Sequence, residues 1–195
     1  LSEMKGSLKL LDSDGSLLGE VTGVPEVAFG GQGGLGDVVL HPDFEKNRGV
    51  YLSYAEEGPN KTFGAAVAMG NLELTETGGQ LKDLEVIWRQ VPKVKGRGHY
   101  GHRIVFGPDN YLWISSGERQ KFDPAQDMES NLGKIVRLYT SGVSVEDNPF
   151  GSANPVTSEI WSLGHRNPLG LSFDTSGRLW TVEMGPKGGD ELNLV

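Results

Sequence analysis

Arg103-Ile104-Val105-Phe106-Gly107-Pro108-Asp109, followed by Tyr111-Leu112-Trp113-Ile114-Ser115, is the stretch that decides the fold. An apolar run breaks at a Gly-Pro-Asp turn and resumes with aromatic and β-branched residues, the grammar of two strands joined by a tight turn. That grammar occurs twice more. Asp37-Val38-Val39-Leu40-His41-Pro42-Asp43 leads into Val50-Tyr51-Leu52-Ser53-Tyr54, and Gly170-Leu171-Ser172-Phe173-Asp174-Thr175-Ser176-Gly177 leads into Leu179-Trp180-Thr181-Val182-Glu183. Leu40, Phe106 and Phe173 hold the same place in the three copies, 66 and 67 residues apart. So regular a period marks a repeat architecture, and strand-rich units of this kind make propeller blades. The period exceeds the roughly 40–50 residues of compact blades, so each unit is expected to carry long loops. Three unrelated hairpins in a sandwich are the competing reading.

The flanking sequence agrees with an all-β chain. Ser7–Leu11 and Ser16–Leu18 read as a hairpin around Asp12–Gly15, and Gly133–Leu138 as a further alternating strand, with Ile135 and Arg137 on the opposite side of the pleat from their neighbours. The Pro- and Asn-rich stretch Asn148–Val156 reads as a loop, and no segment carries a 3.6-residue apolar stripe. The 29 glycines among 195 residues are about twice the usual ~7% share and are scattered through many short turns.

Composition removes several function classes. A net charge of −8 disfavours nucleic acid, because the basic residues Lys93, Lys95 and Arg97 are too few to hold a phosphate backbone. No apolar run approaches the roughly 20 residues that span a bilayer. The absence of cysteine excludes disulfides and thiolate metal sites. The chain opens at Leu1 without an initiator Met or a signal-peptide pattern, as a trimmed or truncated chain would.

Residues capable of chemistry sit just before the repeated strands. Gln32 lies in Gly30-Gly31-Gln32-Gly33-Gly34, His99 in Gly96-Arg97-Gly98-His99-Tyr100-Gly101, and Arg166 and Asn167 in Gly164-His165-Arg166-Asn167-Pro168. Glu118 and Gly185-Pro186 follow the second and third hairpins. Such equivalent placement is what loops converging at one end of a β scaffold produce.

Three runs carry a more specific likeness: Gly31-Gln32-Gly33-Gly34-Leu35 with His41-Pro42-Asp43-Phe44, Leu163-Gly164-His165-Arg166-Asn167-Pro168, and Glu183-Met184-Gly185-Pro186. In order and spacing the chain resembles the soluble glucose/sorbosone dehydrogenase family, and within it the aldose sugar dehydrogenases. The resemblance implies a six-bladed quinoprotein-type β-propeller, of which residues 1–195 form a single partial domain covering about the first half, roughly three blades. It implies pyrroloquinoline quinone (PQQ) and Ca2+ as cofactors, an aldose substrate oxidised at its anomeric carbon to a lactone, an external electron acceptor, and a periplasmic or secreted location.

It also implies roles for individual residues. His99 matches the general base, suited to it because imidazole titrates near neutral pH. Glu118 matches an acidic residue that orients the imidazole and faces the sugar, and Gln32 an amide that binds the sugar. Arg166 matches an arginine between sugar and quinone, stabilising charge on the quinone oxygen, and Asn167 a residue bonded to the cofactor. Gly185 and Pro186 match the pair whose backbone carbonyls ligate calcium, with Asp190 and Glu191 close behind.

Two departures stand out. Gly98 replaces an acidic residue found in the glucose-specific branch, which favours a broader aldose pocket. The length is about half that of the family, so the basic residues that grip the PQQ carboxylates are absent. The chain is therefore expected to be a fragment of a longer protein, or one that self-associates to cover open blade edges. A non-catalytic carbohydrate- or protein-binding propeller and a calcium-dependent propeller lactonase stay open beside the dehydrogenase.

Overall fold

The first strands lie outside the repeat. β1 (Ser2–Glu3), β2 (Ser7–Leu11) and β3 (Leu17–Thr22) form a small antiparallel meander, and Asp12 braces its turn by accepting the Ser16 N–H at 2.8 Å. The first repeat supplies β4 (Leu35–Leu40), one helical turn α1 (Phe44–Asn47) and β5 (Gly49–Gly58). Two long strands complete its antiparallel sheet, β6 (Thr62–Thr75) and β7 (Gly78–Arg89). β3 pairs in parallel with β7, so the N-terminal strands extend this blade to seven strands.

The second repeat forms a four-stranded sheet from β8 (Gly101–Phe106), β9 (Leu112–Ser116), β10 (Lys134–Leu138) and, after the short helix α2 (Pro155–Glu159), β11 (Ile160–Leu163). The third forms β12 (Pro168–Phe173), β13 (Leu179–Glu183) and β14 (Glu191–Leu194). The computed structural model describes residues 1–151 and 154–195. Leu40, Phe106 and Phe173 end β4, β8 and β12, so the sequence repeat is a structural one. These strands stand side by side with β8 in the middle, the innermost strands of three blades in an open all-β propeller.

The strand period of two sorts the core. In β5, Tyr51 and Ala55 face the second blade, packing with Ile104, Leu112, Ile114, Val136 and Leu138. Val50, Leu52 and Tyr54 face the other way, onto Leu8, Val21 and Leu81. In the second blade Trp113 and Ile135 point to the third, against Leu179, Leu171 and Phe173. A strand covered on both faces has no polar side to show, which is why these runs read as continuous apolar stretches. Arg137 shares the face of Ile135 and is held between Tyr111, Trp113 and Trp161, while its guanidinium donates to Asp147.

Two expectations need correction. The long spacer of the first unit is largely sheet: β6 and β7 occupy most of the residues expected to form loops. Their sequence hides this. β6 is built around Gly64, Ala65, Ala66 and Ala68, small residues with weak strand preference that fit because the alanines are almost wholly enclosed. In β7 a register shift around Asp83, at φ 51°, breaks the alternation into a helix-like spacing. Second, the loop read over Asn148–Val156 ends at Asn154, which accepts the Val156 N–H at 2.9 Å and starts α2 with Pro155 at its first position. Ser152 and Ala153 of that stretch lie outside the described residues. Lys93 and Arg97 have structural partners, as scattered basic residues would: Lys93 pairs with Glu56, and Arg97 sits 4.1 Å over the Phe63 ring. Among the described residues no helix is long and apolar enough to cross a membrane.

Candidate active site

The loops that precede β4, β8 and β12 meet, and side-chain hydrogen bonds join them. Gly31 adopts φ 60°, and a Cβ there would lie 2.4 Å from the Arg97 carbonyl oxygen, so the glycine-rich turn can press onto the 90–100 loop. Gln32 then binds that loop twice. Its backbone N–H donates to Arg97 O at 2.8 Å, and its Oε1 accepts the His99 N–H at 2.7 Å.

His99 is 3% exposed and sits at φ 50°, a left-handed conformation that few non-glycine residues hold without support. Gln32 holds its N–H, and the Arg119 N–H donates to its carbonyl at 3.2 Å. Its Nδ1 is hydrogen-bonded to Glu118 Oε1. Glu118 is 1% exposed, not an exposed turn residue. Burial pushes its carboxyl up, but the Phe122 N–H at 2.7 Å, the His99 ring and the Lys121 N–H outweigh that and hold it below the usual carboxylate range. A charged carboxylate facing Nδ1 selects the tautomer with the proton there, leaving the Nε2 lone pair to act on a ligand.

Arg166 and Asn167 join the same network. The Arg166 carbonyl accepts the Glu118 N–H at 2.8 Å, its Nη1 donates to Met184 O at 2.6 Å, and Asn167 Oδ1 accepts the Gly101 N–H at 3.3 Å. Two buried donors have no protein partner, Arg166 Nε and Asn167 Nδ2. Gly185 and Pro186 follow Met184 on the same side of β13. The Gly185 N–H is fixed by Asp190 Oδ1 at 2.9 Å, and a Cβ on Gly185 would fall 1.7 Å from Gly189 O, so only glycine fits. Among the described residues no group of three or more His, Asp or Glu side chains is placed to hold a metal. A cation at this turn would rest on carbonyl oxygens.

Sequence reasoning overlooked three residues. Arg119 is fully buried and donates to the carbonyls of Gly98, Gly96 and Phe63, with its guanidinium 3.7 Å over the Tyr100 ring. Its loop position reads as a solvated charge, and nothing local distinguishes it. His165 and Glu183 form a second buried pair at 2.6 Å, a partnership that no local pattern in the sequence marks. Gly98 is filled in behind by Gln120, whose side chain would lie 2.6 Å from a Cβ placed there.

A concavity of about 410 Å3 opens beside Gln32 and Asn167, bordered also by Tyr100, His102 and Leu169. His102 stacks on Tyr100 at 5.0 Å, and its Nδ1 meets Ser53 Oγ at 3.0 Å. Burial, then the charges of Arg119 and Arg103, push this imidazole down to about 3. The unfolded chain binds this proton from about pH 6.5 downward and the folded protein does not, so stability is lost as pH falls through that window. The expected slope is up to about 1.4 kcal/mol per pH unit from this single group. Urea titrations between pH 7 and pH 4 should show it, and His102→Gln should flatten it. Equal slopes in both proteins would mean His102 is not the source.

A propeller whose loops gather a buried His–carboxylate pair, an arginine and an unpaired amide donor is of the class that works at the ends of its innermost strands. The chain belongs to the Glucose / Sorbosone dehydrogenase family, which matches residues 1–195. It is 41% identical over 190 residues to the aldose sugar dehydrogenase YliI of Escherichia coli, a match covering 97% of this chain and 51% of that protein. It is 32% identical over 197 residues to quinoprotein glucose dehydrogenase B of Acinetobacter calcoaceticus, covering 88% and 40%. The PQQ-bound aldose sugar dehydrogenase of Streptomyces coelicolor superposes with a TM-score of 0.81 at 32% identity, over 98% of this chain and 54% of that one. The chain thus spans about half the length of the relatives it matches.

Proposed function

We propose that this chain contributes the base-bearing part of a PQQ- and calcium-dependent aldose dehydrogenase that converts the anomeric carbon to a lactone. The observation that carries this reading is the single network joining His99, Glu118, Gln32, Arg166 and Asn167. The named activities of the relatives support it. Arg166 Nε and Asn167 Nδ2, the unpaired buried groups of this network, are donors, which suits a quinone rich in carbonyl and carboxylate acceptors.

His99 Nε2 takes the proton of the C1 hydroxyl as the C1 hydride departs. Glu118 stabilises the imidazolium and keeps the ring turned toward the sugar. With Gln32 Oε1 occupied by the His99 N–H, its Nε2 is left to donate to a sugar hydroxyl. Arg166 supplies fixed positive charge where negative charge develops. When bound, PQQ supplies the two-electron acceptor, and calcium on the carbonyls of Gly185 and Pro186 supplies the Lewis acid that polarises it. A lactonase would instead need free carboxylate and amide oxygens, and Glu118 and Asn167 have theirs engaged.

The test is dye reduction by aldoses in a protein of full family length containing this segment, loaded with PQQ and calcium. Activity should fall by at least about tenfold on chelation and return with calcium, given a Lewis acid worth several kcal/mol. Undiminished turnover after exhaustive chelation would remove calcium from the scheme. Sugar affinity with no turnover at all would leave the binding-module reading.

A further inference from the structure

The second histidine–carboxylate pair has no part in the chemistry above. His165 Nδ1 lies 2.6 Å from Glu183 Oε1, with both side chains buried. It is chemically like the first pair but sits at a different register of the blade. His165 follows His99 by 66 residues and Glu183 follows Glu118 by 65, against the 67 between Phe106 and Phe173, and Glu183 lies across from Pro168 as Ser116 lies across from Gly101. Each carboxylate gives one oxygen to an imidazole and the other to backbone N–H groups: Phe122, at 2.7 Å, among those on Glu118, and Arg166, at 2.6 Å, on Glu183.

The two pairs meet in one residue. Arg166 donates its N–H to Glu183 Oε2 and accepts the Glu118 N–H on its carbonyl, so its backbone is held between the two glutamates. Its guanidinium is held by Met184, the residue after Glu183. On the outer side, His165 Nε2 meets Ser162 Oγ at 2.8 Å. Ser162, His165 and Glu183 have the spacing of a nucleophile relay. The concavities on either side, reaching Trp161 and Asn167, do not border Ser162, so the chain of bonds points inward to Arg166.

We propose that Glu183, oriented by His165, is a positioning residue that clamps the Arg166 backbone and through it fixes both the Arg166 guanidinium and the Glu118–His99 pair. The kinetic consequence rests on the dehydrogenase reading; the clamp does not. In the full-length protein, Glu183→Gln should lower kcat by about 10- to 100-fold while leaving KM for the aldose within about threefold, since misplacing a charged group by an ångström has that effect. In the cofactor-free protein, hydrogen exchange at the Arg166 and Glu118 amides should speed up by about tenfold or more, with the thermal midpoint within about 3 °C of the parent. Unchanged exchange at both amides overturns the clamp. So does an unchanged kcat, or a kcat loss matched by a collapse in thermal midpoint, which marks a merely structural role. Should Glu183→Gln fail to fold, His165→Gln carries the test, keeping a donor to Glu183 while loosening it, with a smaller kcat loss and the same two amides affected. If the parent itself does not oxidise aldoses, the dehydrogenase reading fails, and the exchange data still decide the clamp.

Discussion

His99→Ala is expected to lower kcat for aldose oxidation by about 10^2- to 10^4-fold in the full-length protein, the range a positioned general base supplies. PQQ affinity should hardly change, because His99 is held by protein groups on its backbone and Nδ1. Glu118→Gln sharpens the test. Its amide can donate to Nδ1, which would move the ring proton to Nε2 and remove the acceptor, so the loss should approach that of the alanine variant despite near-identical shape. The measurement is single-turnover quinone reduction against sugar concentration, with PQQ binding followed separately. A His99→Ala protein keeping more than about a tenth of parental kcat would end the general-base assignment, since that is below the smallest effect such catalysis gives.

The blades were readable because Leu40, Phe106 and Phe173 end equivalent strands, and a strand end followed by a polar turn is a local event. The convergence of Gln32, His99, Glu118, Arg166 and Asn167 was readable for the same reason: each lies within three residues of the end of a repeated strand. β6 was not, since residues chosen for thinness between two packed faces lack the branched side chains that announce a strand, and β7 was not because the shift around Asp83 breaks its alternation. Arg119 was hidden for a different reason. Its partners are carbonyls of Gly96, Gly98 and Phe63, and backbone oxygens have no sequence identity. His165 and Glu183 belong to the runs that carry the family likeness, but their pairing crosses from the loop before β12 to the end of β13, and no local pattern marks it.

Arg119→Met should destabilise the protein by roughly 3–5 kcal/mol. Methionine keeps the bulk against Tyr100 but leaves three carbonyls without their donor, each worth about 1–3 kcal/mol when buried. Loss of the cation over the Tyr100 ring adds about 1–2 kcal/mol. Against this stands the relief of no longer burying a guanidinium, whose desolvation is the main force lowering its affinity for the proton. That offset keeps the expected total well short of the sum of the losses. Arg119→Lys should recover only part, because one nitrogen replaces the three separate nitrogens that reach Gly98, Phe63 and Gly96. With a urea slope of about 2–3 kcal/mol per molar, the methionine variant should lose more than about 1 M in midpoint. Because Arg119 also gives its own N–H to the His99 carbonyl, the variant that still folds should turn over slowly, with the 96–101 loop no longer fixing the imbalanced φ of His99. A midpoint shift below about 0.3 M would show that water replaces the guanidinium at little cost, and that Gln32 and Glu118 alone hold the base in place.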